Sequence, residues 1–152
     1  MVDLRRRARR AKDDLRMAGL RVLVADDDLG IRLSLSEILR AEGCEVETAG
    51  DGAEALSRLE AGHFDLVLTD VVMPKMDGYE LLRAVQERRP GLPVLMMTAF
   101  HYDKDHIIKR SRMLGLEGVI FKKPVDPERL RQVILETVLG GGAKSRGGPS
   151  AR

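Results

Sequence analysis

"VLTDVVMPKMDG", Val67–Gly78, decides how this chain folds. With Leu66 in front of it, the stretch opens as a short apolar run, which reads as a strand buried on both faces. The run then delivers a carboxylate, Asp70, to its carboxyl end, directly before a segment broken by Met73-Pro74 and Asp77-Gly78. A strand buried on both faces belongs to a parallel sheet covered by helices on each side. In open sheets of that kind ligands bind outside the carboxyl ends of the strands. Asp70 therefore stands where a site would be.

The same alternation extends in both directions. "RVLVA" at 21–25 reads as a strand and is followed by Asp26-Asp27-Asp28. A helical pattern then runs through Ile31, Leu35, Ile38 and Leu39 and stops at Gly43. "EVETA" is a second strand with period two, and "GDGAEAL" turns into a helix over 53–61. "FDLVLT" is the third strand. After Gly78 a helix through Tyr79, Leu82 and Val85 stops before Pro90, and "PVLMMT" at 93–98 is the fourth strand. A helix is expected over 103–114, a fifth strand "VIF" over 119–121, and a last helix from Pro127 to Leu139 with proline in its first turn. Strand and helix alternate five times, without an internal repeat. The fold class is therefore α/β, a parallel sheet with helices on both faces.

Bulk properties narrow the field. The 152 residues suit one domain, able to bury roughly 70% of its unfolded surface without a disulfide or metal. Cys44 is the only cysteine, so no intrachain disulfide forms, which fits a reducing, cytoplasmic compartment. A net charge of +2 with 33% charged residues implies neither nucleic acid nor membrane as a general partner. Aromatics at 3% argue against base-stacking surfaces on the main domain. No membrane span is present, and the basic start lacks the uninterrupted apolar stretch of a secretory signal. Residues 1–19 form a basic, helix-prone extension: either a solvated helix or an arm that docks a polyanion such as nucleic acid, or another partner. Residues 140–152 are Gly/Ser-rich, with the character of a linker or disordered tail, leaving 20–139 as the main domain.

The strand ends carry the chemistry. Asp26, Asp27 and Asp28 follow the first strand, Asp70 the third, Thr98-Ala99 the fourth, and Lys122-Lys123-Pro124 the fifth. Three ionised carboxylates about 4 Å apart repel by up to about 4 kcal/mol per pair at an effective dielectric near 20. Such a cluster holds a cation or protonates in part. Magnesium, which keeps several waters and favours sites shared with phosphate, suits a site with few protein ligands. Each residue alone has a plainer explanation. Asp28 caps a helix, Thr98 is a β-former, and a lysine before proline is surface charge. Their joint appearance at four strand ends is what makes the pattern specific.

On "VLVADDD", "GDGAEAL", "LVLTDVVMPKMDG", "PVLMMTA" and "KKPVDPERL", the chain resembles the receiver domain of two-component response regulators over about residues 20–139. The resemblance implies a flavodoxin-like, five-stranded parallel sheet in the order 2-1-3-4-5, the order of the chemotaxis member of that family. It implies that Asp70 is the phosphoacceptor, taking a phosphoryl group from a sensor histidine kinase or phosphotransfer protein. Asp26 and Asp27 then hold Mg2+ together with Asp70 and the backbone carbonyl of Val72. Thr98 corresponds to the hydroxyl that bonds the phosphoryl group, and the lysine before Pro124 to its counter-charge, with the Lys-Pro bond cis in this family. Val72 and Phe100 correspond to the positions flanking access to the phosphate. Self-phosphorylation and self-dephosphorylation are the only chemistry expected, so the chain is read as a switch and not as an enzyme. The downstream target is not specified.

The chain departs from the pattern in three places. Two lysines precede the proline: adjacency selects Lys123, whereas counting from Gly115 selects Lys122, and Lys123 is preferred. The aromatic switch position falls on Val119 or Ile120, neither of them aromatic. "FHYDKDH" is about two residues longer than the chemotaxis member's segment. Three other functions compete with this reading. A nucleotide-binding α/β domain would want a glycine-rich phosphate loop opening a helix after the first strand, and none stands there. A phosphohydrolase with Asp70 as nucleophile would want Asp-x-Asp-x-Thr, and "DVVMP" stands here instead. A polyanion-binding module acting through residues 1–19 is compatible with the receiver reading.

Overall fold

The computed structural model describes residues 3–98, 120–122 and 125–139. Within them the chain runs α1 (Leu4–Met17), β1 (Arg21–Ala25), α2 (Leu29–Ala41), β2 (Glu45–Ala49), α3 (Gly52–Ala61), β3 (Leu66–Asp70), α4 (Gly78–Arg88), β4 (Val94–Thr98), β5 (Ile120–Lys122) and α5 (Pro127–Ile134). A single π turn, Leu135–Leu139, prolongs α5. The helix expected over 103–114 and the tail 140–152 lie outside the described residues. No helix among the described residues is long and apolar enough to cross a membrane.

β2, β1, β3 and β4 stand side by side in that order, all parallel, and the short segment β5 pairs parallel with the outer edge of β4. Successive residues of a strand point to opposite faces, and the two cores follow that period. Val22 and Val24 of β1, with Leu66 and Leu68 of β3, pack against α2 and α5. Leu23 and Ala25, with Val67 of β3 and Met96 of β4, pack against α3 and α4. Every residue of β3 is buried, which is why it reads as an unbroken apolar run. Met17 and Leu20 join the first of these cores, so α1 is anchored to the domain at its carboxyl end.

Three strands differ from the sequence reading at their ends, β4 only in starting at Val94 and not at Pro93. β3 begins at Leu66 and not at Phe64: Asp65 already bonds Arg21 of β1, but its carboxylate, in place of a backbone carbonyl, accepts the Arg21 N–H at 2.9 Å. The strand also includes Asp70, paired with Met97. β5 lies one residue later than expected, so that Lys122 pairs with Thr98, while Val119 falls outside the described residues.

Aspartates start the helices. Asp28, Asp51, Asp77 and Asp126 each accept a backbone N–H in the first turn of α2, α3, α4 and α5. Such caps contribute about 1 kcal/mol each. At Asp77 the cap is reciprocal, since Glu80 accepts the Asp77 N–H at 3.0 Å.

Candidate functional site

The register brings the strand ends to one edge of the sheet. Ala25 pairs with Thr69, so Asp26 and Asp70 follow it side by side; Asp70 pairs with Met97, and Thr98 with Lys122. One carboxylate oxygen from each of Asp26, Asp27 and Asp70 lies within 4.8 Å of the others. Asp26 and Asp70 are buried and Asp27 is exposed, so the cluster sits at the floor of the sheet edge and opens to water on one side. Asp28, the third acid in sequence, turns away to cap α2 through a 3.1 Å bond from the Ile31 N–H. The sequence triplet therefore splits into two cluster members and one cap.

Asp26 is held from several directions. Its Oδ1 accepts the Asp28 N–H at 2.9 Å, and its own N–H donates to the Ala49 carbonyl at 3.0 Å. Its carbonyl accepts from Arg32 Nη1 at 2.6 Å. Arg32 was not singled out from the sequence, although a clue was there. It stands in the first turn of α2, where the helix dipole disfavours a cation. The contact with Asp26 supplies the reason for its position.

The segment after Asp70 is folded back on itself. The Val71 N–H donates to the Met97 carbonyl at 2.9 Å, and the Gly78 N–H donates to the Val71 carbonyl at 2.8 Å. A Cβ at Gly78 would stand 2.4 Å from the Asp70 carbonyl oxygen, so only glycine permits this return. The far side of the loop is clamped by α3. Gly52 lies under Met76, whose carbonyl oxygen would be 2.1 Å from any Cβ there, and Lys75 Nζ pairs with Asp51 at 3.5 Å. The Glu54 N–H is the main cause holding the Asp51 carboxyl below its usual range; partial desolvation opposes it and Lys75 assists. The "GDG" stretch was read only as a turn into a helix, and its hold on the Asp70 loop comes from tertiary contact. Val71 and Met73 point into the core, whereas Val72 is 42% exposed beside the cluster.

The remaining sequence-predicted positions are placed less fully. Thr98 and Lys122 end neighbouring strands in register, and Ile120 pairs with Met96. Lys123, Pro124, Phe100 and Val119 lie outside the described residues.

The family of response regulator receiver domains matches residues 22–135. The DNA-binding transcriptional regulator NtrC of Rhizobium meliloti is 43% identical over 124 residues, covering 74% of this chain and 26% of that protein. The chemotaxis protein CheY4 of Vibrio cholerae is 36% identical with a TM-score of 0.70, covering 80% of this chain and all of that one. A Borrelia burgdorferi CheY, solved with CheX, BeF3 and Mg2+, is 28% identical with a TM-score of 0.71, covering 79% of this chain and 90% of that one. The chain spans about a quarter of the length of transcriptional regulators such as NtrC.

Proposed function

The chain belongs to the response regulator receiver family of two-component signalling, and from that premise we propose that Asp70 is its phosphoacceptor. A carboxylate oxygen of Asp70 attacks the phosphorus of a phosphohistidine on a sensor kinase or phosphotransfer protein. One O–P bond forms as the P–N bond breaks, and the electron pair leaves on the imidazole nitrogen. The observation that carries this reading is the meeting of the Asp26, Asp27 and Asp70 carboxylates within 4.8 Å at the strand ends.

The donor set fits a hard divalent cation. It is all oxygen, dense in negative charge and open on the Asp27 side, which suits an ion that retains water. Mg2+ held there by Asp26, Asp27, Asp70 and the Val72 carbonyl would neutralise charge on the phosphoryl oxygens. The Borrelia relative solved with Mg2+ supports that assignment. The chain's own residues do the rest. Arg32 and the Asp28 N–H fix Asp26, while Gly78 and the α3 clamp fix the loop that aims Asp70. Thr98 and Lys123, or Lys122 in its place, receive the phosphoryl oxygens from the neighbouring strand ends. In this reading β5 is the fifth strand of a 2-1-3-4-5 sheet. Residues 20–139 are the receiver, 1–19 an extension and 140–152 a tail. The chain is a cytoplasmic switch that changes partner binding on phosphorylation and turns over no separate substrate.

Incubation with acetyl phosphate and Mg2+ tests this. The intact mass rises by one phosphate in the parent and stays unchanged in Asp70→Asn. Equal labelling of the two proteins would remove Asp70 from the role.

A further inference from the structure

α1 presents two opposed faces. One is docked. Met17 is buried in the core, Asp14 accepts from Arg131 Nη2 at 2.6 Å, and Arg10 reaches Glu128 at 3.1 Å and Glu42 at 3.6 Å. On the other face Leu4, Ala8, Ala11 and Leu15 recur at helical spacing and form a single apolar stripe. Leu4 is 73% and Leu15 77% exposed. Arg5, Arg9, Lys12 and Arg16 run in a parallel row beside the stripe, and Arg7 flanks its other side. None of these cations, nor Arg6, makes an ion pair among the described residues. The acids of α1 are already committed: Asp13 and Asp14 pair with Arg131, and Asp3 caps the helix. The segment 1–19 holds seven cations and three acids, so it carries +4 while the rest of the chain carries −2.

We propose that the outer face of α1 docks on an anionic lipid bilayer. The charge is complementary, and the two leucines lie between the flanking cations, where they enter the headgroup region as those cations meet lipid phosphates. Because the stripe lies opposite the docked face, the domain is held on the water side. A free helix of 14 residues would be marginal in water. Here the dock on Arg131 and Met17 keeps it formed, so binding bears little ordering penalty. A nucleic acid would use the cations and leave both leucines exposed. A second copy packed in parallel through the stripe would set Arg7 against Lys12, a like-charge contact. Two leucines make a shallow anchor, so attachment is reversible and weakened by salt.

The test is co-sedimentation of the full chain with vesicles of phosphatidylglycerol or of phosphatidylcholine, at low and high salt. The chain should bind the anionic vesicles at least about tenfold better, with each cation contributing about fivefold. Leu4→Ser/Leu15→Ser should weaken binding about tenfold or more with an unchanged circular dichroism spectrum and melting temperature, because both residues are exposed. Arg5→Glu/Arg9→Glu/Lys12→Glu should abolish it. Absence of binding to phosphatidylglycerol at low salt overturns the proposal. So does binding that survives the leucine substitutions, which would mark α1 as a general polyanion surface. Tighter retention of a duplex DNA fragment, insensitive to the leucines, would assign the face to nucleic acid instead.

Discussion

At the scale of single residues, Asp51 pairs with Lys75 of the segment that follows Asp70, and Val72 belongs to that segment. Asp51 ties the α3 cap to the loop through Lys75, and its carboxyl titrates below the usual carboxylate range. A depressed folded value means that the ionised form stabilises the fold. That contribution is complete above the ordinary carboxylate value and vanishes as the pH falls through the depressed one. Asp51→Asn keeps a capping oxygen and loses the charge. Its melting temperature should lie below the parent's at neutral pH, and the gap should close in acid; a gap that widens in acid would contradict this. With Asp70 as the proposed phosphoacceptor, Val72 is expected to bear on the lifetime of the phosphorylated state. It is apolar and partly exposed at the cluster, and the family resemblance pairs it with Phe100 across the path of the hydrolytic water. Neither side chain can orient a water. Water positioning or general base assistance is worth about 10²–10⁴-fold, so the acyl phosphate should hydrolyse slowly. Val72→Asn with Phe100→Glu should shorten its decay after the donor is removed, at fixed Mg2+. An unchanged lifetime would place control of the water in another group.

Among the elements, α1 depends on one buried cation. Arg131, 5% exposed on α5, pairs with Asp14, with Glu42 at 2.8 Å and with Asp13 at 3.9 Å, and so joins three helices. Burial opposes its charge, but the hydrogen bonds it donates to Glu42 and Asp14 prevail and hold the guanidinium more firmly ionised than usual. Removing one partner of a fully buried pair is worth about 3–5 kcal/mol. Asp14 is half-exposed and can rehydrate, so Arg131→Met should lower stability by about 1–3 kcal/mol. The loss should be local. In hydrogen exchange the amides of α1 should lose protection while β1 and β3 keep theirs, since the strands have their own packing. Equal loss in all three elements would mean that α1 is no separate unit.

For the whole molecule, the close approach of three carboxylates leads to the expectation that stability depends on a bound cation. Asp26 and Asp70 are buried, and one carboxylate oxygen of each lies within 4.8 Å of the other's and of Asp27's, an arrangement able to hold a cation. Mg2+ at ten times its dissociation constant should stabilise the folded chain by about 1.4 kcal/mol. Asp27→Ala should remove most of that gain. Asp70→Asn should raise the melting temperature of the metal-free protein, because it deletes one of the repelling charges. Thermal melts with and without Mg2+ decide the matter: an Asp70→Asn protein less stable than the parent without metal would refute the repulsion argument.

What the sequence determined by itself was the order of elements and the chemistry at their ends. β1 and β2 fall on the residues read as strands, 21–25 and 45–49, because buried and half-buried strands leave a local period that needs no partner to be seen. The acids at 26, 27 and 70 were legible because they follow apolar runs and recur together with a hydroxyl and lysines at the other strand ends. The resemblance already set Asp26 and Asp27 apart from Asp28. Tertiary structure supplied the distances, with one carboxylate oxygen of each of Asp26 and Asp27 within 4.8 Å of Asp70's and with Asp28 capping α2. It also put Asp70 inside the strand and Lys122 opposite Thr98. Gly52 and Arg131 took their roles from contacts with distant chain. Arg131 meets Asp14 across 117 residues, and no pattern along the sequence encodes such a pair. The basic extension 1–19 read as either a solvated helix or a docking arm. Only packing against α5 and α2 turned it into a fixed helix, because an ion pair between remote elements forms when the fold brings them together and not before.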